Sequence, residues 1–255
     1  MRYMTNEEYD RYWDELGETR ETIARDLTRS QDALILDVAC GWGYYTFQLA
    51  HSHPTGLVVA VDLVPSAFTN MERKGNDLDA PDNIAPLIAD ATRLPFKGGS
   101  FDHATSFLGM RDIYMTLGSK GVESTVKGLA EVTKTKGRVT LAVTPPDLSE
   151  TEEERIAIEV EGEVFGARSL PSTFYRDLFS AIDVRLLDIK SYSTCLKMTA
   201  KQTKTELRDG LEICKEVYGR DVPDFEEVWQ RYGPLIEEHG YGMYSLIRVL
   251  VGEKG

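Results

Sequence analysis

The stretch that decides the fold is DVACGWGYYT, residues 37–46, which follows a short apolar run and precedes a predicted helix. The apolar run, residues 33–38, is typical of a strand that is buried on both faces. Gly41 and Gly43 allow a tight turn, and backbone amides at the start of a helix can bind a carboxylate or a phosphate. The sequence therefore predicts a strand, a glycine turn and a helix that meet at a ligand site.

Strands and helices alternate on both sides of this turn. Such alternation indicates a doubly wound parallel sheet, because each helix carries the chain back to the same end of the sheet. Pro86 favours an edge position for the third strand, and Gly137 is predicted to end the helix before the fifth. The predicted strands are 33–38, 56–62, 84–90, 101–108 and 138–143, and the predicted helices are 5–28, 44–50, 65–74 and 122–133.

The pattern changes after a Pro-Pro pair at residues 145–146. About 50 residues separate the last two predicted strands, which is far more than a hairpin needs, and two amphipathic stripes within them predict an inserted pair of helices. The elements predicted after the proline pair are helices near 150–165 and over 171–182, and strands over 184–189 and 244–251.

These elements together predict an α/β fold with a Rossmann-like, doubly wound, mostly parallel seven-stranded sheet and helices on both faces. An N-terminal helical arm covers residues 1–30, and the Rossmann-like domain covers residues 31–190 and 244–255. A helical insertion, residues 191–243, precedes the last strand and is predicted to cap the substrate side of the sheet.

The net charge of the chain restricts the partners that it can bind, and the spacing of its cysteines indicates its cellular compartment. The chain has 255 residues and a formal net charge of -13, which repels nucleic acids and anionic lipids. Cys40, Cys195 and Cys214 are odd in number and widely spaced, which disfavours a disulfide framework and a bound metal. The sequence contains no apolar run long enough to span a membrane. We therefore expect a cytoplasmic protein, for which a homodimer is one open possibility.

Residues 33–50 resemble the first motif of the class I S-adenosylmethionine-dependent methyltransferases, in which an acid precedes x-Gly-x-Gly at the strand-to-helix turn. Further stretches resemble the later motifs of that family in the same order, and the likeness covers about residues 30 to 145. These stretches are 59–63 for the second strand, 89–96 and 100–102 for the third and fourth motifs, and 131–139 before the fifth strand.

The resemblance implies S-adenosylmethionine as the cofactor and assigns a role to each matching position. Asp37 and the turn of Ala39, Gly41 and Gly43 would hold the amino acid end of the cofactor. Asp62 would accept hydrogen bonds from both ribose hydroxyls.

The same resemblance places the adenine and the methyl group. Leu63 would lie beside the adenine, Asp90 would bind the adenine amino group, and the amide of Ala91 would bind a ring nitrogen. Phe107 and Leu108, which come at the end of the fourth strand, would border the methyl group. The implied activity is methyl transfer to a small-molecule acceptor by in-line displacement.

Other functions remain as alternatives. A nicotinamide dehydrogenase is disfavoured because Thr46 occupies the position of its third glycine, and because Asp37 would repel a pyrophosphate. A methyltransferase that acts on nucleic acid or protein is also less favoured than one that acts on a small molecule. The main alternative is a noncatalytic subunit that has kept a methyltransferase-like cofactor pocket.

No motif in the sequence demands a particular catalytic residue. A sulfonium donor is already activated, so the enzyme mainly aligns the acceptor and excludes water, and a base is needed only for some acceptors. The candidates are His239 in the insertion, and Arg111 and Tyr114, which are predicted to lie in a loop after the fourth strand. The sequence leaves the acceptor and the methylated atom open.

Overall fold

The computed structural model describes residues 16–78, 80–194, 196–216 and 219–255, which form eight α-helices and seven β-strands. The strands are β1 (Leu34–Val38), β2 (Leu57–Asp62), β3 (Ile84–Ile88), β4 (Phe101–Phe107), β5 (Thr133–Val143), β6 (Val184–Ser193) and β7 (Leu246–Lys254). The helices are α1 (Gly17–Leu27), α2 (Tyr44–Ser52), α3 (Pro65–Leu78), α4 (Met110–Val132), α5 (Glu152–Glu163), α6 (Ser172–Ala181), α7 (Ala200–Glu216) and α8 (Phe225–His239).

All seven strands form a single sheet in the order β3-β2-β1-β4-β5-β7-β6. The ladders from β3 to β5 are parallel, whereas β7 pairs antiparallel with both of its neighbours. The predicted fold class is therefore confirmed, including the edge position of the strand that contains Pro86. Pro86 is tolerated there because an edge strand needs its backbone donors on only one side.

The central strands are buried on both faces because two layers of helices cover them. Leu36 and Val38 of β1 point into the larger core cluster, with Leu129 of α4. Ile35, which comes directly before Leu36, points into a second cluster on the opposite face, where Leu49 of α2 packs. Alternate residues of a strand face opposite sides of a sheet, so an unbroken apolar run is what a doubly covered strand requires.

Helix α4 begins earlier than predicted. It begins at Met110, not near residue 122, and it contains a kink at Gly118, where φ is 65° and ψ is -167°. Gly118 interrupts the apolar periodicity, which explains why the first turns of the helix were predicted as a loop. Gly137 does not end this helix, because α4 stops at Val132 and Gly137 lies within β5.

The polypeptide between β6 and β7 forms the predicted pair of helices, α7 and α8. Their apolar stripes pack with α5 in a core cluster of their own, which contains Val160, Leu207 and Ile236. A bridge between Met198 and Tyr241 closes the base of the pair. The division of the chain into an arm, a domain and a cap stays a prediction, and residues 1–15 of the arm lie outside the described residues, as does Cys195.

Helix α1 is the described part of the predicted arm, and it packs on α2. Among the described residues, no helix combines the length and the apolar character that a membrane crossing requires.

We predict that Leu36→Ala destabilises the protein far more than Leu187→Ala. Leu36 is fully buried in β1, so its truncation leaves a cavity and costs about 2–5 kcal/mol of unfolding free energy. Leu187 on the edge strand β6 is 39% exposed, and its truncation should cost at most ~0.5 kcal/mol. Urea unfolding followed by both fluorescence and circular dichroism measures the difference. Equal losses in the two variants would contradict the position of β1 at the centre of the core.

Candidate active site

A cavity of about 880 Å³ opens at the carboxyl ends of β1, β2, β3 and β4. Ligands of open α/β sheets bind at this edge, where the strand order reverses on either side of β1. The cavity continues under α5, α7 and the segment that leads into β7. Nine of the ten predicted cofactor residues line it, namely Asp37, Ala39, Gly41, Asp62, Leu63, Asp90, Ala91, Phe107 and Leu108.

Asp37 is a buried carboxylate on the cavity wall, with only 1% of its surface exposed. Its Oδ2 accepts a hydrogen bond from Thr46 Oγ1 at 2.7 Å, whereas its Oδ1 has no hydrogen-bond partner among the described residues. Burial raises the pKa of Asp37 to about 7, although the bond from Thr46 lowers it, and the nearby Asp62 adds to the increase. A buried acceptor without a partner is costly, so this oxygen fits a cationic ligand.

The turn after β1 adopts left-handed backbone angles at alternate residues, with φ of 55° at Ala39, 54° at Gly41 and 84° at Gly43. Gly43 is the one predicted cofactor residue that does not line the cavity. A β-carbon at this position would lie 2.8 Å from side-chain atoms of Met71. The glycine therefore serves the left-handed conformation and the close packing of α3, rather than direct contact with a ligand.

Asp62, at the end of β2, binds the turn after β1. Its Oδ2 accepts a hydrogen bond from the Gly41 amide at 2.9 Å, and its Oδ1 accepts one from the Val64 amide at 3.0 Å. Each carboxylate oxygen has two lone pairs, so both can still accept a hydroxyl proton from the cavity side. Two backbone contacts therefore hold Asp62 in a fixed orientation toward the cavity.

Asp90 follows β3 and is also fixed by its own loop. Its Oδ1 accepts hydrogen bonds from the amide and the hydroxyl of Thr92, both at 2.8 Å. These bonds lower the pKa of Asp90, so the carboxylate stays ionised at neutral pH. Ala91 lies next to it on the cavity wall, and Leu63 lies on the same wall with 60% of its surface exposed.

The end of β4 closes the floor of the cavity beside the turn after β1. The Phe107 ring stacks on the Tyr45 ring with centroids 4.6 Å apart. Leu108 has a φ of 59°, and its amide donates to the carbonyl oxygen of Ala142 at 2.9 Å. A β-carbon on Gly109 would lie 2.6 Å from the β-carbon of Ala39, so only glycine allows the two loops to approach this closely.

Arg111 lines the cavity from the first turn of α4 and forms a network with residues far away in the sequence. Its guanidinium donates to Glu161 Oε2 at 2.6 Å, to the Tyr244 hydroxyl at 2.8 Å and to the carbonyl oxygen of Ala167 at 3.3 Å. The Tyr241 hydroxyl donates to Glu161 Oε1 at 3.0 Å. Burial raises the pKa of Tyr244 to about 12, so both tyrosines stay protonated at neutral pH.

The structure does not bring the other two catalytic candidates to the cavity. Tyr114 lies on α4 and packs against the main core. His239 lies in the last turn of α8, with its ring 3.7 Å from Glu238, and it does not line the cavity. Glu161, Tyr241 and Tyr244 were missed because no local motif marks them, although the glycines on both sides of Tyr241 signal an irregular turn.

The sheet has seven strands with β7 antiparallel to its neighbours, and acids at the ends of β1 and β2 and after β3 line one cavity. This arrangement defines the class I methyltransferase fold. Comparison with known families agrees with this class, because residues 35–137 match a family model described as a methyltransferase domain. The resemblance found in the sequence is therefore confirmed over the residues that carry it.

Individual relatives match less of the chain or match it distantly. Demethylmenaquinone methyltransferase of Staphylococcus aureus is 32% identical over 96 residues, which are 37% of this chain and 38% of that protein. The [4+2]-cyclase SpnF superposes with a TM-score of 0.64 at 15% identity, over 93% of this chain and 80% of SpnF. Geranyl diphosphate C-methyltransferase of Streptomyces coelicolor gives a TM-score of 0.56 at 13% identity, over 94% of this chain and 80% of its own. At these identities the structural likeness establishes the fold alone.

We predict that Asp37→Asn stabilises the ligand-free protein, with a gain that grows between pH 5 and pH 8. A carboxyl with a folded-state pKa near 7 and an ordinary value of 3.8 favours folding at low pH and opposes it as the pH rises through 7. Asparagine keeps an acceptor for Thr46 and removes the charge. At pH 8 the thermal midpoint should rise by roughly 2 °C or more.

Asp177→Asn is the matched control, because it makes the same substitution at an exposed position on α6. Differential scanning calorimetry measures both variants. A loss of stability in Asp37→Asn at pH 8 would contradict the burial of an uncompensated charge.

Proposed function

We propose that this protein transfers a methyl group from S-adenosylmethionine to a small-molecule acceptor. The observation that carries the proposal is the buried Asp37 oxygen without a partner, in the same cavity as Asp62 and Asp90. S-adenosylmethionine carries an ammonium and a sulfonium, so acids suit it, whereas a dinucleotide pyrophosphate would be repelled. The methyltransferase domain family match over residues 35–137 supports the same choice.

The residues present fit the cofactor at each part of its structure. Asp37 and the turn at Gly41 would hold the amino acid end, and the Asp62 carboxylate would accept hydrogen bonds from the ribose hydroxyls. Asp90 and the amide of Ala91 would bind the adenine edge. When bound, S-adenosylmethionine supplies a methyl group that is already activated for in-line displacement.

The role of the protein is then to orient the acceptor and to exclude water. Ligand cavities commonly have volumes of about 300–1,000 Å³. The cavity of about 880 Å³ is near the top of that range, which supports a site for two molecules rather than one. Phe107 and Leu108 line the cavity at the end of β4, and we assign the methyl group to that position. The cytoplasmic location and the homodimer stay predictions.

The relative from Staphylococcus aureus does not identify the acceptor of this chain. The family match ends at residue 137, before α5, α7 and α8, which form the roof on the acceptor side. The main alternative is a noncatalytic subunit, which would bind the cofactor at the same site but would not catalyse methyl transfer.

Isothermal titration calorimetry tests the proposal. We predict that the protein binds both S-adenosylmethionine and S-adenosylhomocysteine, and that Asp62→Asn weakens both affinities about 10- to 100-fold, because hydrogen bonds to a carboxylate contribute about 1.5–3 kcal/mol. Asp188→Asn, on the exposed face of β6, is the matched control and should leave both affinities unchanged. Binding of a nicotinamide dinucleotide in place of both compounds would refute the proposal. Binding without methyl transfer to any acceptor would favour the noncatalytic subunit.

A further inference from the structure

Helix α1 contributes a buried cation to the cavity. Arg20 lines the cavity from α1, with only 3% of its surface exposed. Leu16 and Ala24, one helical turn before and after Arg20, are fully buried in the cluster that also contains Leu49 of α2. The packing of α1 therefore fixes the backbone of Arg20 beside the cavity. Because the family match begins at residue 35, that match gives α1 no role.

Two contacts with the first turn of α2 place Arg20 and Asp37 at the same end of the cavity. The guanidinium carbon of Arg20 lies 4.8 Å from the centroid of the Tyr44 ring, and Tyr44 is the first residue of α2. Thr46, two residues later, donates its hydroxyl to Asp37 Oδ2 at 2.7 Å. Arg20, Asp37 and Tyr44 all line the cavity. A buried cation and a buried anion are therefore present at one end of it.

The cations of the cavity wall lie on different sides. Among the described residues that line the cavity, the only arginine or lysine side chains are Arg20 and Arg111. Arg111 forms an ion pair with Glu161 of α5, with 2.6 Å between Nη2 and Oε2. Arg20 is therefore the cation on the side of Asp37 and Asp62. These two acids would repel a ligand carboxylate, and a guanidinium beside them offsets that repulsion.

The amino acid end of S-adenosylmethionine carries an ammonium and a carboxylate. The unpartnered Oδ1 of Asp37 fits the ammonium, whereas the carboxylate requires donors and positive charge. We propose that Arg20 binds the carboxylate of the cofactor, so that Arg20 and Asp37 together recognise the two charges of its amino acid end. This inference rests on the proposed function, because it adds a binding residue to the same site.

The chemistry of a guanidinium suits this role. Its planar group has several N–H donors, and it can bind a carboxylate through two parallel hydrogen bonds while other donors contact the protein. The cation–π contact with the Tyr44 ring restricts the Arg20 side chain, so less entropy is lost when a ligand binds. Arg20 would therefore make the site selective for ligands that keep the carboxylate over those that have lost it.

Calorimetric titration of the full-length wild type tests this selectivity. The probes are S-adenosylhomocysteine, its decarboxylated analogue, which keeps the ammonium, and methylthioadenosine, which lacks both charged groups. We expect S-adenosylhomocysteine to bind at least about tenfold more tightly than the decarboxylated analogue. Equal affinities for these two compounds would overturn the proposal, and this comparison requires no variant to fold.

Variants of Arg20 test which group provides the selectivity. Arg20→Met keeps an unbranched apolar stem and removes the charge, so it should weaken S-adenosylhomocysteine about 10- to 100-fold. It should not weaken the decarboxylated analogue, and it should leave methylthioadenosine within about twofold of the wild type. Equal weakening of all three compounds would indicate a purely structural role and would overturn the assignment.

Arg20→Lys keeps the charge and loses the paired donors, so S-adenosylhomocysteine should bind about 3- to 10-fold more weakly. If circular dichroism shows that Arg20→Met does not fold, Arg20→Lys decides the question. A preference for S-adenosylhomocysteine over the decarboxylated analogue that stays at the wild-type value in Arg20→Lys would then overturn the assignment.

Arg25→Met is the matched control on the same helix. The Arg25 side chain is 64% exposed, pairs with Glu21 and does not line the cavity. This variant should change the affinity for each of the three compounds less than about twofold. Failure of the wild type to bind both S-adenosylhomocysteine and methylthioadenosine would refute the proposed function. Binding of both without a preference for the carboxylate would refute this inference alone.

Discussion

Two hydrogen bonds to one carboxylate determine the geometry of the site. Asp62 accepts the amide of Gly41 through one oxygen and the amide of Val64 through the other, so the ends of β1 and β2 are held at a fixed distance. The Cys40 amide, which donates to the Val61 carbonyl at 3.1 Å, extends the strand pairing to the start of the turn. Because the left-handed residues Ala39 and Gly41 then have little freedom, the turn and the Asp62 carboxylate are fixed together on the cavity wall.

Asp37 lowers the folding stability of the ligand-free protein. Its carboxylate is buried inside the sheet with one oxygen unsatisfied, an arrangement that opposes folding at neutral pH. The doubly covered sheet supplies enough buried apolar surface to tolerate this cost. A cationic ligand would relieve it, so stability and ligand binding are coupled through this one group.

The sequence was informative where a local pattern determines structure. Apolar runs ending in an acid located β1, β2 and β3, and the order of the motifs located Asp37, Asp62 and Asp90, which all line the cavity. Chain segments that meet only in three dimensions were not predictable in this way. Glu161 and Tyr244 reach Arg111 from α5 and from the segment before β7, and the distance in sequence leaves no periodic signal. Gly118 interrupts the apolar pattern, so the sequence did not predict the first turns of α4. Gly43 was predicted to hold the cofactor, whereas in the structure it allows close packing against Met71.

The most direct test of the central claim is a crystal structure of the complex with S-adenosylhomocysteine. We predict that both ribose hydroxyls lie within hydrogen-bonding distance of the Asp62 carboxylate, and that the ligand ammonium lies against Asp37 Oδ1. Ligand density elsewhere on the protein, or a ribose that does not contact Asp62, would contradict the assignment of this cavity as the cofactor site.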